Sequence, residues 1–260
     1  MSNQQNTTES SVVMNQNQPA IAIVIGGSGL VGRQLLMQLV SSGHYQTVYA
    51  VVRKAFDLPM TSSKLSLKSS SQKTHLQWLE VPDFSQMKSV LEKIDLANAD
   101  AFSALGSTLK QAGSKAAFYQ IDHDYNLVFA QVTHQQGARH LLLVSAMGAD
   151  ASSIIYYNRV KGELESDVQK VGFEQVSIFR PSLLIGARSQ EARLAEGFAQ
   201  KLFTMSQSVL PATFSSRPIE AGRVALAMWQ VAQKPQEQAT AQVQIYSNQK
   251  MLRTTLAAAS

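Results

Sequence analysis

Short, continuously apolar runs alternate along the chain with longer stretches whose apolar residues recur every three or four positions. Residues 20–25, "AIAIVI", form the first such run, the pattern of a strand buried on both faces. Val31, Leu35, Leu36 and Leu39 then follow at helical spacing, and Gly43 offers a stop. The same reading predicts strands over 47–52, 76–81, 101–105, 140–144 and 176–179. It predicts helices over 85–94 and from about 153 to 171. A further long helix is capped by Ser114, presents Phe118, Ile121, Tyr125, Val128, Phe129 and Val132 on one face, and ends at Gly137.

Strand and helix in alternation, with connections long enough for crossovers, predict a doubly wound parallel α/β sheet covered on both faces. Ligands of such sheets bind beyond the C-terminal ends of the strands. Residues 1–19 are rich in Gln, Asn, Ser and Thr and read as a disordered tail. Residues 20–180 form the sheet domain, with a polar Ser/Lys-rich insert over 61–74 expected to be an exposed loop. After Arg180-Pro181 the pattern loosens and prolines punctuate it, with one clear helix over 221–231. Residues 181–260 are therefore expected to form a small C-terminal lobe over the sheet edge.

Composition narrows the classes of function. Of 260 residues, 45% are hydrophobic, ample for a core, and none is cysteine, which removes disulfides, thiol nucleophiles and thiolate metal sites. The net charge of +5 comes from scattered Lys and Arg, and no nucleic-acid partner is expected. The tail lacks Lys, Arg and any long apolar run, so neither a signal nor a transit peptide is expected. No segment approaches the ~20 apolar residues that span a bilayer. A cytoplasmic protein with no membrane partner is the expectation.

The first strand runs into "GGSGLVG", with Gly26, Gly29 and Gly32 at regular spacing before an amphipathic helix. Gly26 permits a backbone turn that a Cβ would strain, Gly29 lets a pyrophosphate approach the main chain, and Gly32 lets helix and strand pack closely. The first helical turn, opening at Leu30 and Val31, carries N–H groups with no partner inside the helix, at the positive end of its dipole. A dinucleotide pyrophosphate satisfies both. The second strand ends in Arg53-Lys54 with no acid until Asp57, where an NAD site usually offers a carboxylate to the ribose. Arg53, with Arg33 able to reach the same place, points to the 2′-phosphate of NADP over NAD.

Ser145 ends the fifth strand, and "YYNRVK" follows twelve residues on. Tyr157 and Lys161 are four apart and share a helix face, whereas Tyr156 points elsewhere. An ammonium beside a phenol favours the phenolate, so this pair predicts a tyrosine of lowered pKa that moves a proton at a carbonyl or alcohol oxygen, with Ser145 holding that oxygen. No histidine cluster predicts a metal. Asp122-His123-Asp124 sits mid-helix, where neighbours diverge around the axis, and is expected on a solvated face.

Taken in order, "GGSGLVG", "VVRK", "SAMGA", "YNRVKGELE" and "FRPSLLIG" resemble an atypical or extended short-chain dehydrogenase/reductase. The likeness is greatest to the small NADP-binding group around the Tat-interacting-protein oxidoreductase, and it covers about residues 20–245. It implies a Rossmann fold, with Asp83 at the adenine, Leu105 and Gly106 of "SALGST" beside the ribose and nicotinamide, Lys161 on the nicotinamide ribose, and Pro181 and Leu183 lining the nicotinamide end. The asparagine motif usual after the fourth strand is missing, and "SAMGA" can be shifted by one residue against relatives that have two serines. The expected function is NADP-dependent hydride transfer to or from a small carbonyl or alcohol through Ser145, Tyr157 and Lys161. An epimerase or dehydratase using the same site, and a non-catalytic NADPH sensor, are the alternatives. The helix carrying Phe118 and Val132 offers a surface for a homodimer, though core packing explains its aromatic residues equally well.

Overall fold

The computed structural model describes residues 21–58, 74–185, 217–234 and 242–256. Strands β1 (Ile21–Ile25), β2 (Thr47–Val52), β3 (His75–Glu80), β4 (Asp100–Ser103), β5 (His140–Val144) and β6 (Gln175–Arg180) lie close to the predicted runs. A further strand, β9 (Gln242–Ser247), completes a seven-stranded sheet in the order β3-β2-β1-β4-β5-β6-β9, every pair parallel. The short strands β7 (Leu184–Ile185) and β8 (Ile219–Glu220) pair with each other.

Alternate residues of each strand feed two separate cores, which is why the strands read as unbroken apolar runs. Ala22, Val24, Ala50, Phe102, Leu142 and Phe179 face one way and pack with Leu35, Leu36 and Leu39 of helix α1 (Leu30–Ser42). Ile23, Ile25, Val51, Ala101, Leu141, Leu143 and Ile178 face the other way. They are covered by α2 (Met87–Leu91), α5 (Tyr125–Gln135) and α6 (Tyr156–Val168). Two short helices, α3 (Leu109–Ala112) and α4 (Lys115–Tyr119), precede α5.

The expected long helix from Ser114 is interrupted. Ser114 does cap α4, accepting a hydrogen bond from the Ala117 N–H at 3.0 Å. Residues Gln120–Asp124 then form a π-helical turn before α5 begins. The wider turn rotates the helix, so Phe118, Phe129 and Val132 are buried as expected, but Asp122 and Asn126 take the inner positions in place of Ile121, Tyr125 and Val128. Asn126 secures the turn, its Nδ2 donating to the Ile121 carbonyl at 2.9 Å.

The C-terminal region departs from the expected lobe in the part that is described. Helix α7 (Ala221–Ala232) packs Val224, Ala225 and Met228 into the α1 core, and β9 belongs to the main sheet, followed by α8 (Asn248–Leu256). A core boundary at residue 180 is therefore not observed. The tail over 1–19, nearly all of the 61–74 insert, and residues 186–216 lie outside the described residues. Among the described residues no helix is long and apolar enough to cross a membrane.

Candidate active site

The glycine loop leaves β1 as the spacing predicts. Gly26 has φ +80°, and a Cβ there would meet the Ala104 carbonyl carbon at 2.4 Å. At Gly32 it would meet the Gly26 carbonyl oxygen at 2.1 Å, the close helix–strand approach expected. At Gly29 it would meet only the Gly26 oxygen, at 3.3 Å, which leaves space over the helix start. Gly29 is the N-cap of α1, yet no side chain caps the helix and no acid lies in its first turn. An anionic group therefore fits the loop by geometry and by charge.

Beyond β2, Arg53 and Lys54 are exposed. Arg33 donates from Nε to the Ser28 carbonyl at 3.1 Å and lays its guanidinium 4.6 Å from the centre of the Phe56 ring, which packs on Trp78. The nearby carboxylate is Glu80 at the end of β3, and it accepts the Ala55 N–H at 3.1 Å. Sequence reading passed over Glu80 because it is distant in the chain and joins this corner only through the β2–β3 register. Asp83 caps a short 3₁₀ turn, accepting from the Ser85 N–H at 2.9 Å, and those hydrogen bonds hold its carboxyl below the usual range.

Tyr157 and Lys161 stand one turn apart on α6, with the Tyr157 ring against Phe118. Tyr156 turns away, and its hydroxyl donates to the Lys115 carbonyl at 2.9 Å. The Lys161 ammonium is buried and lies 2.7 Å from Asp122 Oδ1, so the expectation that Asp122 faces solvent is overturned: the π turn brings it inward. Asp122 Oδ2 accepts two further bonds, from the N–H of Ser107 at 2.8 Å and its hydroxyl at 2.6 Å. His123 is buried as well, its ring nitrogens 2.9 Å from Asp124 and 3.2 Å from Asp167.

Electrostatics follow from this arrangement. Burial pulls the Lys161 pKa down, but Asp122, Tyr157 and Glu165 outweigh it and leave it raised. The Tyr157 pKa is raised too, a correction to the expected lowering: burial dominates, and Asp122 works against the help that Lys161 gives. Ser145 is buried, and its hydroxyl donates to Glu165 Oε1 at 2.5 Å. Glu165 also holds the Arg180 guanidinium, at 2.5 Å from its Nη2. Ser145 thus meets the Tyr157–Lys161–Glu165 stripe of α6 one turn below the lysine. Glu165 was detectable as the next i+4 position in that stripe; Ser107 lay in the quoted "SALGST" without a signal of its own.

The fourth-strand loop joins the two halves of the site. Ala104 and Leu105 abut Gly26, and a Cβ on Gly106 would lie 3.2 Å from Asp122 Oδ1 and 3.5 Å from Lys161 Nζ. Pro181 follows β6 and accepts the Met147 N–H from the segment after β5, while Leu183 accepts the Ile219 N–H. A seven-stranded parallel sheet with a glycine cradle at its first turn, and a Tyr/Lys helix after its fifth strand, defines a dinucleotide-binding protein of the short-chain dehydrogenase/reductase class.

The comparisons with known proteins place it within that class. The profile of the NAD dependent epimerase/dehydratase family matches residues 22–211, and the chain belongs to that family. The Candida albicans protein named "Protein FMP52, mitochondrial" is 33% identical over 69% of this chain and 73% of its own length. HTATIP2 of Rattus norvegicus is 32% identical over 69% of each chain, which bears out the likeness to the Tat-interacting-protein group. MoeE5 in complex with UDP-glucose and NAD shares the fold with a TM-score of 0.57 at 14% identity, over 91% of this chain and 81% of that one. The mitochondrial names carried by the fungal relatives overturn the expectation of a cytoplasmic protein.

Proposed function

We propose that the protein is an NADP(H)-dependent oxidoreductase that transfers hydride to or from a small carbonyl or alcohol. One observation carries the reading: residues 104–106 adjoin both the glycine cradle and the Asp122–Lys161 pair, so a dinucleotide held on the cradle would extend toward the helix that carries Tyr157 and Lys161. The open space at Gly29 and the bare start of α1 fit its pyrophosphate. Arg53 and Arg33, at a strand end whose nearby carboxylate is already engaged, fit a 2′-phosphate. When bound, a nicotinamide dinucleotide would supply the hydride chemistry, its reduced form giving hydride to the substrate carbon or its oxidised form accepting it. The chain's own residues do the rest. Tyr157 exchanges a proton with the substrate oxygen, Lys161 holds the ribose, and Ser145, released from Glu165, is the candidate donor to that oxygen.

Titration calorimetry with NADPH and NADH, followed by a screen of carbonyl substrates, tests this reading. Preference for NADPH together with turnover supports it. Equal affinities remove the NADP assignment. Tight NADPH binding with no turnover across the screen removes the enzymatic reading in favour of a dinucleotide sensor.

A further inference from the structure

Asp122 is the feature of the site that neither the glycine loop nor the Tyr/Lys spacing accounts for. Its carboxylate is fully buried and could have been a neutral residue in the core, yet it faces a lysine that is itself buried. The contact is fixed from three sides. The π turn over Gln120–Asp124 turns the side chain inward, and Asn126 secures that turn. Ser107 pins Oδ2 through its amide and its hydroxyl, leaving Oδ1 for Lys161 at 2.7 Å. Gly106 lies close over the pair, where a Cβ would press on Asp122 Oδ1 at 3.2 Å. The charged groups facing Lys161 and Tyr157 are Asp122 from the π turn and Glu165 from α6, and Arg180 already holds Glu165.

We propose that Asp122 is a positioning residue that claims the Lys161 ammonium and so keeps Tyr157 protonated, which builds the site for donating a proton to a carbonyl oxygen rather than taking one from an alcohol. The inference rests on the proposed oxidoreductase function and gives it a direction. In the forward step the Tyr157 O–H bond breaks and its proton goes to the substrate oxygen. The carbon–oxygen double bond becomes single as its carbon accepts hydride, and the phenolate left on Tyr157 regains a proton from water. A lysine free of Asp122 would act on Tyr157 with its whole charge and favour the phenolate that alcohol oxidation needs. The Tyr157 pKa is raised first by burial, and Asp122 adds to that in the same direction while Lys161 opposes it.

The test is a pH titration of the dinucleotide-free full chain carrying ¹³Cζ-tyrosine, followed by NMR, with Tyr157→Phe identifying the signal. The parent midpoint is expected above the ordinary tyrosine value of about 10. A midpoint below about 9 overturns the proposal without any further variant. Asp122→Asn is expected to lower the midpoint by at least about one pH unit, and Asp122→Glu to restore it. An Asn variant that folds and leaves the midpoint unchanged or higher also overturns it. No dinucleotide enters the measurement, so failure here is distinct from failure to bind NADPH.

Discussion

Two buried polar clusters lie at opposite ends of the same strands. At the C-terminal ends, Asp122, Ser107 and Lys161 sit under the fourth-strand loop. At the N-terminal ends, Tyr45 donates to Asp100 Oδ2 at 2.6 Å, Asp100 Oδ1 lies 3.7 Å from His140 Nδ1, and His140 Nε2 is 2.9 Å from Ser177 Oγ. Both clusters contain a serine hydroxyl and a buried aspartate, joined by Lys161 in the first and by Tyr45 and His140 in the second. The partners differ. Asp122 faces the ammonium of Lys161, whose pKa is raised against the effect of burial. Asp100 faces a phenol and an imidazole, and burial drives each group toward its neutral form, Asp100 up to about 7 and His140 down to about 3. The Ser177–His140–Asp100 order resembles a hydrolase relay, but its members are sealed in the core. Burial of polar residues alone therefore does not mark a candidate site; a charged partner and an adjoining loop distinguish the first cluster from the second.

If that contrast is right, substitutions at the loop end alter binding and turnover, and those at the sealed end alter stability. The largest effect is expected of Tyr157→Phe, which keeps the ring on Phe118 and removes its proton. Turnover of any substrate found for the parent should fall about 10²–10⁴-fold, with NADPH binding unchanged by calorimetry. Turnover that survives would move proton transfer to another group, such as Ser107 or Thr108.

At the sealed end, the folded-state pKa of Asp100 is raised, so its contribution to stability is fully present below the unfolded value near 4 and is lost as pH rises to about 7. His140 is lowered and acts in the opposite sense: its contribution is lost as pH falls from about 6.5 toward 3. Asp100→Asn keeps an acceptor for Tyr45 and cannot ionise. Urea unfolding should therefore show the parent losing up to a few kcal/mol relative to this variant between about pH 4 and 7, on the order of 1.4 kcal/mol per pKa unit. A difference that is flat with pH would mean that Asp100 is ionised in the core. Binding of NADPH should be the same in both.

Gly29→Val places a branched side chain in the space over the helix start. The thermal stabilisation given by NADPH, about 2.7 kcal/mol at a hundredfold excess over Kd, should disappear while the unliganded melting temperature stays close to that of the parent. Retained stabilisation would place the phosphate elsewhere. Arg53→Ala is the smallest of these changes. It should weaken NADPH about tenfold, as loss of one charged hydrogen bond does, and leave NADH untouched. An unchanged ratio of the two affinities would remove Arg53 from the cofactor site.

Much of this was legible from local signals. The strands were visible because both faces of the sheet are covered, and β5 begins and ends where the run "HLLLV" does. The glycine loop was visible because its constraints act over a few residues. What escaped depends on contacts between distant residues or on a break in period. Strand β9 alternates, with Val243 and Ile245 exposed at a sheet edge, so its sequence lacks the unbroken apolar run of the inner strands. Asp122 escaped because one π turn moves it from the outer face of a regular helix to the inner one. Ser145 was read at the end of the fifth strand, but its burial and its bond to Glu165, which also holds Arg180, depend on α6 and β6 meeting there.

Helix α7 completes the core around α1 although nearly the whole described chain separates them. During synthesis the apolar face of α1, with Leu35 and Leu39, is made early and its cover late. Such long-range closure slows folding and leaves that face open to wrong partners in the interval. The nascent chain thus spends most of its elongation with the apolar face of α1 lacking the cover that α7 later gives it.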